Sequence, residues 1–263
     1  MPTTCSFRYD QIIETNVQGI SLMQQSKYDE AIVRLKEGLM ALLPQLNEAI
    51  ANETMVAFET SVKGTRDSPQ KSSLYPELRI DGSIRSTINN RSLFSVEVLP
   101  KDKVSTNDED VFVLFNRALH LSREIKDIHE NAAFYGQLLS GIIIYNLGLS
   151  HHLQGLKTGD SRMQSRALEL YLLAYQDLMD QCSSRGEKMP TVNMALVSIV
   201  NNMGHIYAHF RRYEETSMCR DELSSRLTSL LLDHHPILTA VEYQIFFLNI
   251  SFFQSELMCA PSA

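Results

Sequence analysis

Residues 16–39 read NVQGISLMQQSKYDEAIVRLKEGL, and this stretch decides the fold. Across and upstream of it, Tyr9, Ile12, Ile13, Asn16, Ile20 and Met23 fall on one face of a helix over 9–25. Tyr28, Ala31, Ile32, Leu35, Leu39, Leu42 and Leu43 do the same over 28–43. Ser26, with Asp29 three residues on, reads as a cap between the two. Amphipathic helices joined by so short a turn pack antiparallel, because neither buries its apolar stripe alone. Pro44 is expected to disturb the end of the second helix, with a helical pattern resuming through Phe58.

The same register returns twice. Residues 201–223 read NNMGHIYAHFRRYEETSMCRDEL, with Gly204 and Thr216 twelve residues apart, as Gly19 and Ala31 are. Tyr28 and Tyr213 each stand three residues before the second landmark. Residues 145–174 read YNLGLSHHLQGLKTGDSRMQSRALELYLLA, where Gly148 and Ala167 are nineteen apart, so a seven-residue insertion is expected in the turn. Helices are expected over 132–156, 165–181, 192–210, 213–232 and, after Pro236, 237–257.

Between the first and second pairs the character changes. Residues 61–73, SVKGTRDSPQKSS, are polar and rich in turn formers and read as an exposed loop. Residues 92–99, SLFSVEVL, alternate as a half-buried strand does. Residues 111–121, VFVLFNRALHL, fit either a helix or a strand, and a small inserted β-hairpin is the reading adopted. The resulting plan is one all-α domain over 1–263: a first helix pair at 1–58, an insertion at 59–128, a second pair at 129–181, a third at 190–232 and a terminal helix at 237–258.

The glycine, alanine and tyrosine landmarks resemble the tetratricopeptide repeat. Gly19, Gly148 and Gly204 in first helices, with Ala31, Ala167 and Thr216 in second helices, would let two backbones approach closely. The resemblance covers about two-thirds of the chain and departs from the pattern at Thr216, at the turn insertion and over the long interruption at 44–130. It implies a TPR-like helical-hairpin solenoid that binds another protein or peptide in a concave groove. The asparagine-glycine helix starts, the inserted segment and the ending that runs from FFLN to APSA also resemble a set of diatom repeat proteins, a likeness that supplies no function.

Composition narrows the alternatives. A formal charge of −7 with scattered basic residues disfavours nucleic acid as a partner. Cys5, Cys182, Cys219 and Cys259 form no paired spacing, which suits reduced thiols. MPTTCSFRYDQIIET has no basic region followed by an apolar core, so no secretory signal is expected, and the cytoplasm, with the nucleus as the alternative, is the expected compartment. The longest apolar stretches, 141–149 and 245–253, are too short to span a membrane. Sequons at Asn52, Asn90 and Asn249 read as chance matches in such a protein.

No catalytic centre is legible. Nucleophile-elbow and phosphate-loop patterns are absent, and acidic pairs such as Asp29-Glu30 sit at helix starts, where the dipole favours them. His205 and His209 lie four apart on one helix, but no third ligand stands at metal spacing, so neither metal nor cofactor is expected. One constellation invites a function. Asn146, Asn202 and Asn249 each stand two residues before a small residue in a first helix. A ladder of amides offers donors and acceptors to an extended peptide backbone, with Tyr145, His152, Asn201, His205 and His209 beside it. The alternative is that these amides bond neighbouring helices and hold the stack. The expected function is a non-enzymatic adaptor; the runner-up is a self-assembling structural protein whose apolar last helix packs on a second copy, and a third reading is an accessory subunit of an enzyme supplied by another chain.

Overall fold

Seven helices packed in sequential pairs, with one two-stranded antiparallel sheet, make up the described residues of the computed structural model: 4–63, 93–97, 112–121, 132–185, 190–232 and 238–257. In chain order the elements are α1 (Thr4–Gln24), α2 (Tyr28–Lys63), β1 (Leu93–Glu97), β2 (Arg117–Leu121), α3 (Ala132–Thr158), α4 (Ser161–Arg185), α5 (Pro190–His209), α6 (Tyr213–Leu232) and α7 (Ala240–Leu257). Each helix packs on the next, and α1 and α5 also touch α3. The odd-numbered helices therefore lie side by side, and α3 at their centre is buried on every side from Gly141 to Leu153. None of the described helices is long and apolar enough to cross a membrane.

Two expectations about turns are corrected. Ser26 is not an N-cap. It adopts a left-handed φ of 59°, its N–H bonds the Met23 carbonyl at 2.9 Å, and the Lys27 N–H reaches Leu22 at 3.0 Å. This is a Schellman ending for α1. Arg211, with φ 57°, closes α5 in the same way through Arg212 N–H to Tyr207 at 2.9 Å.

The seven extra residues of the second pair do not lengthen a loop either. They extend α3 to Thr158 and start α4 at Ser161, with Gly159 at φ 69° between them. Gly148 stands four residues farther from its turn than Gly19 does, and Ala167 three farther than Ala31. Each helix thus gains about one turn of 3.6 residues and keeps the same face inward. Pro44 does not interrupt α2, which runs through it to Lys63 instead of ending at 58, and Leu43 lies on the exposed side.

The inserted hairpin forms with Ser95 opposite Leu119, so the second half of 111–121 is strand and 112–116 approaches it without regular structure. Beyond Lys63, the loop expected at 61–73 lies outside the described residues. The last helix begins at Ala240 with a capping box: Thr239 N–H donates to the Glu242 carboxylate at 2.7 Å, and Glu242 N–H to the Thr239 hydroxyl at 3.3 Å.

Candidate functional site

Helical spacing places Asn16, Asn146, Asn202 and Asn249 on neighbouring odd-numbered helices, and all four are buried. Their amides do not face an empty surface. They hold the chain's own residues 112–121 in an extended conformation. Val113 N–H donates to Asn249 Oδ1 at 2.6 Å, and Asn249 Nδ2 donates back to the Val113 carbonyl at 2.7 Å. Phe115 and Asn202 exchange the same two bonds at 3.0 Å each. Leu119 and Asn146 do so at 2.9 and 2.7 Å.

Each asparagine thereby satisfies both backbone groups of one residue, as the facing residue of an antiparallel strand would. The bonding fixes the amide orientations, because a flipped amide would set donor against donor. Both end carbonyls use their second lone pair: Val113 also accepts from Asn201 at 3.0 Å, and Leu119 from Asn16 at 3.3 Å. With both backbone groups of Leu119 taken, the bonds of β2 to β1 fall to the alternate residues Ala118 and His120. The side chains of the helices stand where a third strand would.

The spacing follows from geometry. From Val113 to Leu119 the chain advances six residues, about 20 Å at roughly 3.3 Å each. Two interhelical steps of about 8–10 Å, from α7 to α5 to α3, cover the same span. The segment runs from α7 towards α1, opposite to the order of the helices.

Hydrogen bonds join the amides into one network. Asn146 Nδ2 donates to Asn16 at 2.9 Å, and Asn249 Nδ2 to Asn201 at 2.7 Å. Tyr145 donates its hydroxyl to the Arg117 carbonyl at 2.8 Å, and Asn202 Nδ2 reaches the hydroxyls of Tyr145 and Tyr171, each at 3.3 Å. Tyr171 lies 3.4 Å from His152 Nδ1, and His152 Nε2 lies 3.1 Å from His205 Nδ1. A consistent proton placement has Tyr171 donating to His152, and His152 donating to His205. Burial, then the proximity of His205 and His209, holds His152 well below the ordinary range, and burial brings His205 to about 4. Both rings are therefore neutral near pH 7. Burial likewise pushes the Tyr145 and Tyr171 hydroxyls upward. These are bonding groups closed off from solvent.

Sequence reasoning grouped Tyr145, Asn146, His152, Asn201, Asn202, His205, His209 and Asn249, and the structure brings all but His209 into this network. His209 is exposed, its ring tilted against that of Phe210 with centroids 5.7 Å apart. Asn249, buried and doubly bonded, has no room for a glycan. Asn16 and Tyr171 join the network without belonging to that group. Asn16 precedes Gly19 by three residues instead of two and escapes the pattern, though its place on the apolar face of α1 was a signal. No group of three metal-ligating side chains occurs among the described residues.

The small residues separate into two groups. A Cβ on Gly19 would lie 2.7 Å from Leu35 of α2, and one on Gly148 would lie 2.9 Å from the Tyr171 ring of α4, where Ala167 is also buried. Ala31 is buried, and so is Thr216, whose hydroxyl donates to the Arg212 carbonyl at 2.8 Å. That bond lets a polar residue occupy a position where alanine is expected. Gly204 departs from its expected helix-packing place: the first contact of a Cβ there would be the Phe112 ring at 2.6 Å. Comparison with protein-family models, curated proteins and solved structures finds no significant match to this chain.

Proposed function

We propose that this chain is a non-enzymatic, TPR-like adaptor that binds a polypeptide partner in extended form along its odd-numbered helices. One observation carries the reading. Three asparagines on three successive odd helices each engage both backbone groups of a single residue of extended chain. Such bonds recognise backbone whatever the side chains, which is the chemistry a polypeptide-binding face needs. Burial and neutrality of the histidine pair favour a bonding role for it over acid–base work.

The test is selection of binders from a random peptide library by the full chain, followed by an N-methyl scan of the winners. Saturable binding that is lost when particular backbone N–H groups are methylated is the expected result. Binding indifferent to N-methylation at every position would overturn backbone recognition.

A second reading, self-association, is favoured by α7. Phe246 points inward against Phe115, with ring centroids 4.8 Å apart, while Val241, Phe247 and Leu248 stay exposed, as do Leu231 and Leu232 at the end of α6. Mass in solution that rises with concentration, and falls to monomer on Phe247→Asp, would support it.

A further inference from the structure

Residues 112–121 lie between α2 and α3 in sequence, yet α2 packs directly on α3. The succession of helix contacts is continuous without the segment. At Val113, Phe115, Arg117 and Leu119 the segment's backbone bonds to helix side chains. It also keeps an outer side: Val113 is 38% exposed, and Leu114 and Asn116 are half-buried. These are the contacts of a strand laid on a surface, where backbone bonds give affinity and side-chain pockets give specificity.

We infer that residues 112–121 are a displaceable ligand built into the chain, and that their buried side chains spell the sequence this face accepts from another polypeptide. The inference rests on the adaptor reading and names its ligand. The ligand is an extended peptide with aromatic residues at its first and fourth positions, a small residue at the seventh, and leucine at the eighth and tenth. Phe112 fills the space over Gly204, Phe115 packs on Phe246, and Ala118, Leu119 and Leu121 are fully buried. The amide pairing fixes direction, with the first residue at α7 and the last towards α1. A segment tethered at both ends competes at an effective concentration on the order of millimolar. A foreign peptide must exceed that threshold, so the resting chain answers only to a close match or a high local concentration.

Hydrogen exchange on the intact chain tests this, with a fluorescent copy of residues 111–121 as the probe. The amides of Phe115 and Leu119 should exchange at least tenfold faster than those of Ile143 in α3 and Val197 in α5, because the segment leaves while the helices stay folded. Excess copy peptide should accelerate the segment's own amides further and bind saturably. A copy with Phe115→Ala should bind at least tenfold more weakly. Segment amides that exchange only together with α3 and α5 would overturn the inference, as would binding of the copy without any change at Phe115 and Leu119. The two readings fail separately. If library peptides bind while the segment stays locked, the adaptor reading survives and this one does not. Exchange of the copy with no library peptide bound would show a displaceable segment whose face takes only its own sequence, which overturns the foreign ligand assigned here and the adaptor with it.

Discussion

Asn146-x-Gly148 in α3 and Asn202-x-Gly204 in α5 are the same signature, yet their glycines meet different neighbours. Gly148 makes room for Tyr171 within its own helix pair, and Gly204 makes room for Phe112 of the inserted segment. A small residue on a helix marks that something approaches closely, without saying what. Contacts inside each helix pair are chiefly apolar and local. Contacts with the segment are an amide network spread over four helices, and such networks are costly to leave partly unmade.

The largest expected effect is therefore on the segment side. Asn202→Ala strands the N–H and carbonyl of Phe115 and removes a donor from Tyr145 and Tyr171. At about 1–3 kcal/mol for a buried group left unsatisfied, the loss should reach about 3 kcal/mol or more. Asn249→Ala, at the more exposed end beside Val113, should cost about half as much or less. Denaturant titration of both variants checks the ranking, and equal losses would argue against a graded network.

Acid should act next. His152, His205 and His151 all have values below the usual 6.5, the last two at about 4, with burial the leading cause for each. The unfolded chain then binds more protons below pH 6.5, so stability is full above that pH and is lost as pH falls towards 4. At about 1.4 kcal/mol per pH unit for each group, the loss for His205 alone is on the order of 2–3 kcal/mol. Thermal melts from pH 7 to pH 4 should show it. In His151→Gln most of the slope should remain, since the His152–His205 pair is a separate source.

The two glycines then divide. Gly204→Ala should cost about 1–3 kcal/mol, the usual range for overpacking. In a Phe112→Leu background that cost should fall, because the two side chains compete for one space. The cost of Gly148→Ala should be the same in either background. Coupling of Gly148 to Phe112 as strong as that of Gly204 would dissolve the distinction between the two regions.

Most of the helix architecture was legible from periodicity, because amphipathic stripes and small-residue landmarks are local patterns. The hairpin was legible through the alternation at 92–99, although 111–121 also fitted a helix. The asparagines were legible as a ladder that either meets extended backbone or bonds neighbouring helices, and they do both. Their occupant was not, because pairing Asn202 with Phe115 spans 87 residues and leaves no periodic trace. An apolar run inside the insertion, with no helix to pair with, was the remaining clue. Local patterns also misled at the turns, where seven inserted residues became helix and a serine expected to cap took a left-handed conformation.

That serine gives the smallest effect, and it belongs to the helix-pair side of the comparison. All three helix-pair turns pass through positive φ, at Ser26, Gly159 and Arg211, and two of the three residues carry a Cβ. A left-handed conformation costs an L-residue roughly 1–2 kcal/mol. Glycine would relieve that cost, but it also gains freedom in the unfolded chain worth about 0.4–1 kcal/mol. Ser26→Gly and Arg211→Gly should therefore each stabilise by about 0.5 kcal/mol, while leaving exchange at Phe115 and Leu119 unchanged relative to the helices. Gly159→Ala runs the other way. A Cβ there meets nothing within 4 Å, so the expected loss of about 1 kcal/mol comes from the backbone alone. Chemical denaturation of the three variants reads the signs directly, and a loss on Ser26→Gly would mean that its hydroxyl holds the turn more strongly than its backbone strains it.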